Sequence, residues 1–227
     1  MARPVIVGVD GAPAGWVAVT LPDDGDADVR AFRTFAELLD AMRSATVIAV
    51  DIPIGLESEL RRAVDGAARS RLGRHAPRVF STPERDVLAF DVYADALTML
   101  RSHGRPGVSA QAFALRKKIL EVDARASTDK RIHEVHPEVS FLEMADRRPL
   151  GWPKKHPLGF LERRALLERH GIRVSDDAFR VARVGADDIL DAAAAAWTAR
   201  RIAHGDARTL PEDAGRDASG RIVAIWY

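Results

Sequence analysis

The sequence predicts an α/β fold on a mixed sheet, its first three strands antiparallel and the later ones parallel, with a large helical insertion after the fourth strand. Three observations predict it. Residues 5–9 and 47–50 are apolar runs, as expected of strands covered on both faces. A short turn, Gly11-Ala12-Pro13-Ala14-Gly15, follows the first run, so the next strand returns beside it instead of crossing over through a helix. From about residue 56 to about residue 130 the pattern is helical, with no convincing strand.

Residues 5–9 and 16–21 form the expected opening hairpin, and a third strand falls at about 29–32, after the turn-like Asp23-Asp24-Gly25-Asp26. Thr34 is placed to cap a helix whose apolar face is Phe35, Leu38, Leu39 and Met42. Residues 47–50 supply the fourth strand. Three meandering strands, a crossover helix and a further buried strand are the opening of a ribonuclease H-like fold. A doubly wound dinucleotide fold would place a helix directly after its first strand. The insertion reads as helices over 59–72, 92–100 and 110–126, broken by Pro77, Pro83 and Gly104-Arg105-Pro106-Gly107. A short fifth strand is expected at 132–135, helices at 137–145, 157–170 and 187–203, and a closing strand at 222–226. No repeat or low-complexity linker divides residues 1–227, so a single ribonuclease H-like domain carrying an insertion over about 56–130 is expected.

With 34 Lys+Arg against 33 Asp+Glu, total charge gives no argument for a nucleic-acid partner; only a local patch would. The absence of cysteine excludes disulfides, thiolate zinc sites and a cysteine nucleophile, and fits a reducing cytoplasm. The first apolar run is too short for a secretion signal, and no apolar stretch approaches the ~20 residues that span a bilayer. A cytoplasmic protein with no membrane partner is expected. Its oligomeric state is not legible.

Asp10 follows the first buried strand and Asp51 the fourth, strands that are neighbours in this topology. Ligands of open sheets gather beyond the carboxyl ends of strands. Two carboxylates held there repel each other unless a hard cation with oxygen ligands relieves the cost. Singly, each has a structural reading, Asp10-Gly11 as a turn pair and Asp51-Ile52-Pro53 as a loop cap. As a pair they point to a metal.

The last helix opens Asp187-Asp188-Ile189-Leu190-Asp191, and the spacings i, i+3 and i, i+4 put all three acids on one face. That face continues through Ala192, Ala195 and Ala199, small enough to let the helix lie close to a sheet. Asp187 is assigned to the cap, while Asp188 and Asp191 join Asp10 and Asp51 as metal ligands. The bland alternative is a helix-dipole effect of about 0.3–1 kcal/mol. Glu134, at the end of the fifth strand, completes the catalytic set, whereas Glu138 reads as a first-turn dipole partner. His133 and His136, without further ligands nearby, do not make a zinc site.

Basic residues run through Arg61, Arg62, Arg69, Arg71, Arg74, His75 and Arg78, and recur at Arg116-Lys117-Lys118 and Lys154-Lys155. Arg62 and Arg69 share a helix face with Asp65 between them, which suits phosphate binding and a solvated charged face equally. Arg69, Lys118 and Lys155 are the candidate substrate-binding cations. No nucleophile elbow, Walker loop or dinucleotide fingerprint is present.

The set Gly8-Val9-Asp10-Gly11-Ala12-Pro13-Ala14-Gly15-Trp16, followed by Val50-Asp51-Ile52-Pro53-Ile54-Gly55-Leu56, resembles the family catalogued as domain of unknown function 429, described as predicted nucleases of ribonuclease H-like fold. Further matches follow in order: Arg62, Asp65, Arg69 and Gly73; Val79-Phe80-Ser81-Thr82-Pro83; Lys118-Ile119 with Glu121-Val122-Asp123; and Glu134-Val135-His136-Pro137-Glu138 with Phe141. Lys154-Lys155 with Gly159 and Arg163, then Asp187-Asp188 with Leu190-Asp191-Ala192, complete the series. The resemblance implies Asp10 and Asp51 as core ligands, joined by Asp188 or Asp191 and by Glu134. The chain departs from the pattern at His156, where a small hydroxyl residue is expected after the lysine pair.

The expected function is hydrolysis of a phosphodiester with one or two Mg²⁺ or Mn²⁺ ions, roughly 3.5–4 Å apart where two bind. RNA and DNA substrates are not distinguished. Two alternatives stand beside it. One is ATP-dependent phosphoryl transfer of actin-like topology, in which the Asp10-to-Trp16 hairpin grips phosphate but two lobes are ordinarily needed. The other is a non-catalytic nucleic-acid-binding module that keeps the fold.

Overall fold

The computed structural model describes residues 4–22, 24–56, 62–181, 183–217 and 220–227 of the chain. Its main sheet holds β1 (Ile6–Ala12), β2 (Gly15–Leu21), β3 (Asp28–Phe32), β4 (Val47–Val50) and β5 (Ile132–Glu134) in the order β3-β2-β1-β4-β5. The pairs β1–β2 and β2–β3 are antiparallel, and β1–β4 and β4–β5 are parallel. A mixed five-stranded α/β sheet is thus confirmed. One detail is corrected: β1 does not stop before Asp10. Its pairing continues through Asp10↔Val17, Gly11↔Trp16 and Ala12↔Gly15, and the turn shrinks to Pro13-Ala14.

Alternation along the strands divides the apolar residues between two layers. Val7, Val9, Ala18, Ile48 and Val50 pack with Trp16 against Phe35 and Leu38 of α1 (Phe35–Ala41) and Ile119 and Val122 of α6 (Arg116–Ala126). Thr34 caps α1 as expected, its hydroxyl accepting from the Glu37 N–H at 3.1 Å. On the other face Ile6, Val17, Val19, Val47 and Ala49 meet α9 (Ala186–His204).

Gly8 explains how close α9 comes. A Cβ on Gly8 would sit 2.0 Å from the Ala196 nitrogen and 2.2 Å from the Ala192 carbonyl oxygen, so only glycine permits this contact. Asp10 and Asp51 stand two positions beyond Gly8 and Ala49. The period of two therefore turns both toward the α9 side.

Between β4 and β5 the described residues hold α2 (Ala63–Leu72), α3 (Arg85–Leu88), α4 (Tyr93–Ser102), α5 (Ala110–Ala114) and α6, and no strand. The expected helix start at Glu59, Arg61 of the basic run and Asp23 of the early turn lie outside the described residues. The helix expected over 110–126 is broken at Leu115. Phe113 of α5 belongs to a small core with Val87, Ala96 and Leu100, whereas Ile119 and Val122 face the sheet, and one straight helix cannot serve both. The four-residue α3 is too short to have left a periodic signal.

After β5 come α7 (Pro137–Met144), α8 (Pro157–Arg169) and α9. The expected closing strand shrinks to β7 (Ile225–Trp226), which pairs with an unanticipated β6 (Thr209–Leu210) and touches the main sheet through the bridge Val135↔Trp226. Two-residue strands carry no legible alternation. No helix among the described residues is long and apolar enough to cross a membrane.

Candidate functional site

The register fixes the site. Val9 pairs with Val50 in parallel, and the Asp51 N–H donates to the Val9 carbonyl at 3.0 Å, so Asp10 and Asp51 occupy successive equivalent positions on adjacent strands. The close seat of α9 on β1 brings Asp191 to the same place from the opposite layer. Asp10 and Asp191 are 7% and 2% exposed, and Asp51 is partly buried. All three, with Asp188, line one cavity of about 530 Å³.

These acids are costly to ionise together. Burial and then the neighbouring Asp51 and Asp191 push the Asp10 carboxyl well above the usual range. Burial, with Asp191 and the carboxylates of β5 and α7, raises Asp51 to about 8, and burial raises Asp191 to about 6 against the pull of Lys154. Asp188 is raised by burial and by Asp187. Lys154 answers part of this charge. Its ammonium donates to Asp191 Oδ2 at 2.5 Å and lies 3.6 Å from Asp187. Burial opposes its charge, but Asp191, Asp10 and Asp51 outweigh that and raise its pKa.

The other buried acids of the cavity wall are neutralised by arginine. Glu134 Oε2 accepts from Arg62 Nη2 at 2.5 Å and from the Ile54 N–H at 2.7 Å. Arg62, 3% exposed, also donates to the Ile54 carbonyl and Thr82 Oγ1, while Asp65 accepts from the Thr82 N–H at 2.7 Å. This network ties the Asp51–Ile54 segment to α2 and to the 79–82 segment. Glu134 thus reaches the cavity but is already engaged. Glu138 is more than a dipole partner, since it accepts from Arg163 at 2.7 Å and from Arg78 at 2.5 Å.

Among the expected phosphate-binding cations, Lys155 lines the cavity, and Arg69 and Lys118 do not. Arg69 staples the 79–81 segment through Val79 O at 3.1 Å and Ser81 Oγ at 2.8 Å. Lys118 closes the β1–β2 turn by donating to the Ala12 and Gly15 carbonyls, each at 2.6 Å, over the Trp16 ring. Asp187 is not the cap of α9. Gly185 holds that position, because Asp188, three residues on, accepts from the Gly185 N–H at 3.2 Å. His156 takes the role expected of a hydroxyl, its Nδ1 accepting from the Leu158 N–H at 3.2 Å to cap α8.

Two features escaped the sequence reading. The Lys154–Asp191 pair spans 37 residues and the Arg62–Glu134 pair 72, separations that leave no local signal. His136 also lines the cavity with a buried Nδ1 that has no hydrogen-bond partner, and Asp191 Oδ1 is in the same condition. Native interiors rarely leave such atoms unsatisfied.

A family model described as a protein of unknown function (DUF429) matches residues 8–216. The chain belongs to that family. Asp10, Asp51, Asp188 and Asp191 all lie within the matched span. No curated protein and no solved structure matches the chain.

As the cluster stands, no group of three or more His, Cys, Asp or Glu side chains among the described residues is arranged to hold a metal ion. Its donor chemistry nevertheless fits a hard divalent cation: the donors are carboxylate oxygens, their charge is under-compensated, and Asp191 Oδ1 is buried without a partner.

Proposed function

We propose that this chain is a divalent-metal-dependent phosphodiester hydrolase of ribonuclease H-like fold. The strand order β3-β2-β1-β4-β5, antiparallel then parallel, supports the fold reading. The observation that carries the activity is the juxtaposition of Asp10 and Asp51 on adjacent parallel strands with Asp191 from α9, where Asp51 and Asp191 push Asp10, and Asp191 pushes Asp51, toward the protonated state. Asp10, Asp51, Asp188 and Asp191 would hold the ion, Mg²⁺ or Mn²⁺. Such an ion supplies Lewis-acid polarisation of the phosphoryl group and relief of the cluster's charge.

The chain's own groups divide the remaining work. Lys154 holds Asp191 in the ion's absence, and surrendering that contact leaves its ammonium on the cavity wall, positioned for a phosphate. Lys155 adds a second cation there. The Arg62–Glu134 network fixes the segment that follows Asp51. In the reaction, water's oxygen forms a new bond to phosphorus, the bond to one ester oxygen breaks, and a proton lost by the water is balanced by one gained by the leaving group.

The test is hydrolysis of a chromogenic nucleoside phosphodiester and of labelled RNA and DNA with Mn²⁺, comparing wild type with Asp10→Asn. Loss of a ligand should lower kcat at least ~100-fold, on the scale of removing one preorganised electrostatic group. Equal trace rates in both proteins would remove the hydrolase reading.

A further inference from the structure

The cavity bears on which phosphodiester the site would take, an inference that rests on the hydrolase reading above. The acids do not lie on an open sheet edge. Asp10 and Asp191 are 7% and 2% exposed and line a recess of about 530 Å³. The lining draws Phe80 and Leu115 from the helical insertion, Lys154 and Lys155 from the loop before α8, and Ile225 from β7. The loop before α8 is firmly seated: a Cβ on Gly159 would lie 2.0 Å from the Pro153 carbonyl, and the buried Arg163 donates to the Trp152 and Gly159 carbonyls.

Such a recess falls within the roughly 300–1,000 Å³ of pockets that enclose small molecules. Carboxylates as buried as Asp10 and Asp191 are reached only by a group narrow enough to enter the recess, which suits a small molecule better than the backbone of a duplex. The lining combines an apolar surface suited to a flat ring with cations suited to a phosphate.

We infer that the site takes a small organic phosphodiester carrying one ring system of nucleobase size, seated against Phe80 and Leu115 with its phosphate toward Lys154 and Lys155, and not a double-stranded polymer. Hydrolysis cleaves one ester bond of that molecule and returns a phosphomonoester and an alcohol.

Calorimetric titration of the full chain, with and without Mn²⁺, uses thymidine 5′-monophosphate and a 20-base-pair DNA duplex as probes. The mononucleotide should bind one to one. Leu115→Trp, which fills the recess, and Phe80→Ala, which strips its apolar wall, should each weaken it by tenfold or more while thermal unfolding shows both variants folded. Duplex should bind at least tenfold more weakly and be indifferent to Leu115→Trp. Tighter binding of duplex, or no mononucleotide binding at millimolar concentration, overturns the inference. Mononucleotide binding without hydrolysis of any diester would instead sink the hydrolase reading and leave the small-ligand site standing.

Discussion

Gly8→Ala is expected to destabilise the protein by about 3 kcal/mol or more, beyond the usual range for one added methyl, because the atoms it meets are backbone. The new Cβ would lie 2.0 Å from the Ala196 nitrogen and 2.6 Å from its Cα, so α9 must lift off the sheet. That movement would carry Asp191 away from Asp10, and activity should fall with stability. Gly66→Ala is the matched contrast. Gly66 is exposed within α2, has nothing within 4 Å of its would-be Cβ, and should gain up to about 1 kcal/mol from helix propensity. Urea unfolding of the two variants reads both effects. A Gly8→Ala protein as stable as wild type would mean that α9 does not sit on β1 as described.

The second large effect is a stability gain from damaging the site. In metal-free protein burial and neighbouring carboxylates push Asp51 up to about 8, and burial pushes Asp191 up to about 6, above the ordinary aspartate value close to 4. Between those values the folded chain retains protons that the unfolded chain has released. The slope of unfolding free energy with pH is then negative, and stability is lost as pH rises from about 5 to about 8. Each pH unit of separation corresponds to about 1.4 kcal/mol per group. Asp51→Asn keeps the shape and removes the ionisable group. In chelator, its advantage over wild type should be small at pH 5 and reach at least ~1 kcal/mol at pH 8, while hydrolysis is lost. A parallel pair of stability curves across that window would show that Asp51 carries no such strain.

Much of this was readable in the chain. The apolar run through β4, the Pro13-Ala14 turn after β1 and the alanine stripe of α9 each impose their geometry locally, and together they place Asp10, Asp51 and Asp191 in one region. Gly8 also stood in plain view within the first strand. Its purpose needed the partner helix, since only the seat of Ala192 and Ala196 shows why a side chain is excluded. The pairing of acids with bases was not readable. Glu134 and Asp191 look alike as isolated carboxylates, yet Arg62 neutralises the first and Lys154 the second, across sequence separations that no periodicity records. The same blindness made Arg69 and Lys118 look like phosphate ligands, when each is spent on backbone carbonyls of a nearby turn or loop. Asp187 begins the acidic run and so reads as a cap; the reach of Asp188 back to Gly185 sets the helix start two residues earlier.

The most direct measurement is calorimetric titration of Mn²⁺ into wild type, Asp10→Asn, Asp51→Asn and Lys154→Met, with Asp129→Asn, an acid already paired with Arg131, as the control. Wild type and control should bind alike, the two cluster variants at least tenfold more weakly, and Lys154→Met more tightly, because its ammonium no longer competes for Asp191. Unchanged affinity in Asp10→Asn and Asp51→Asn would contradict a metal centre at these strand ends.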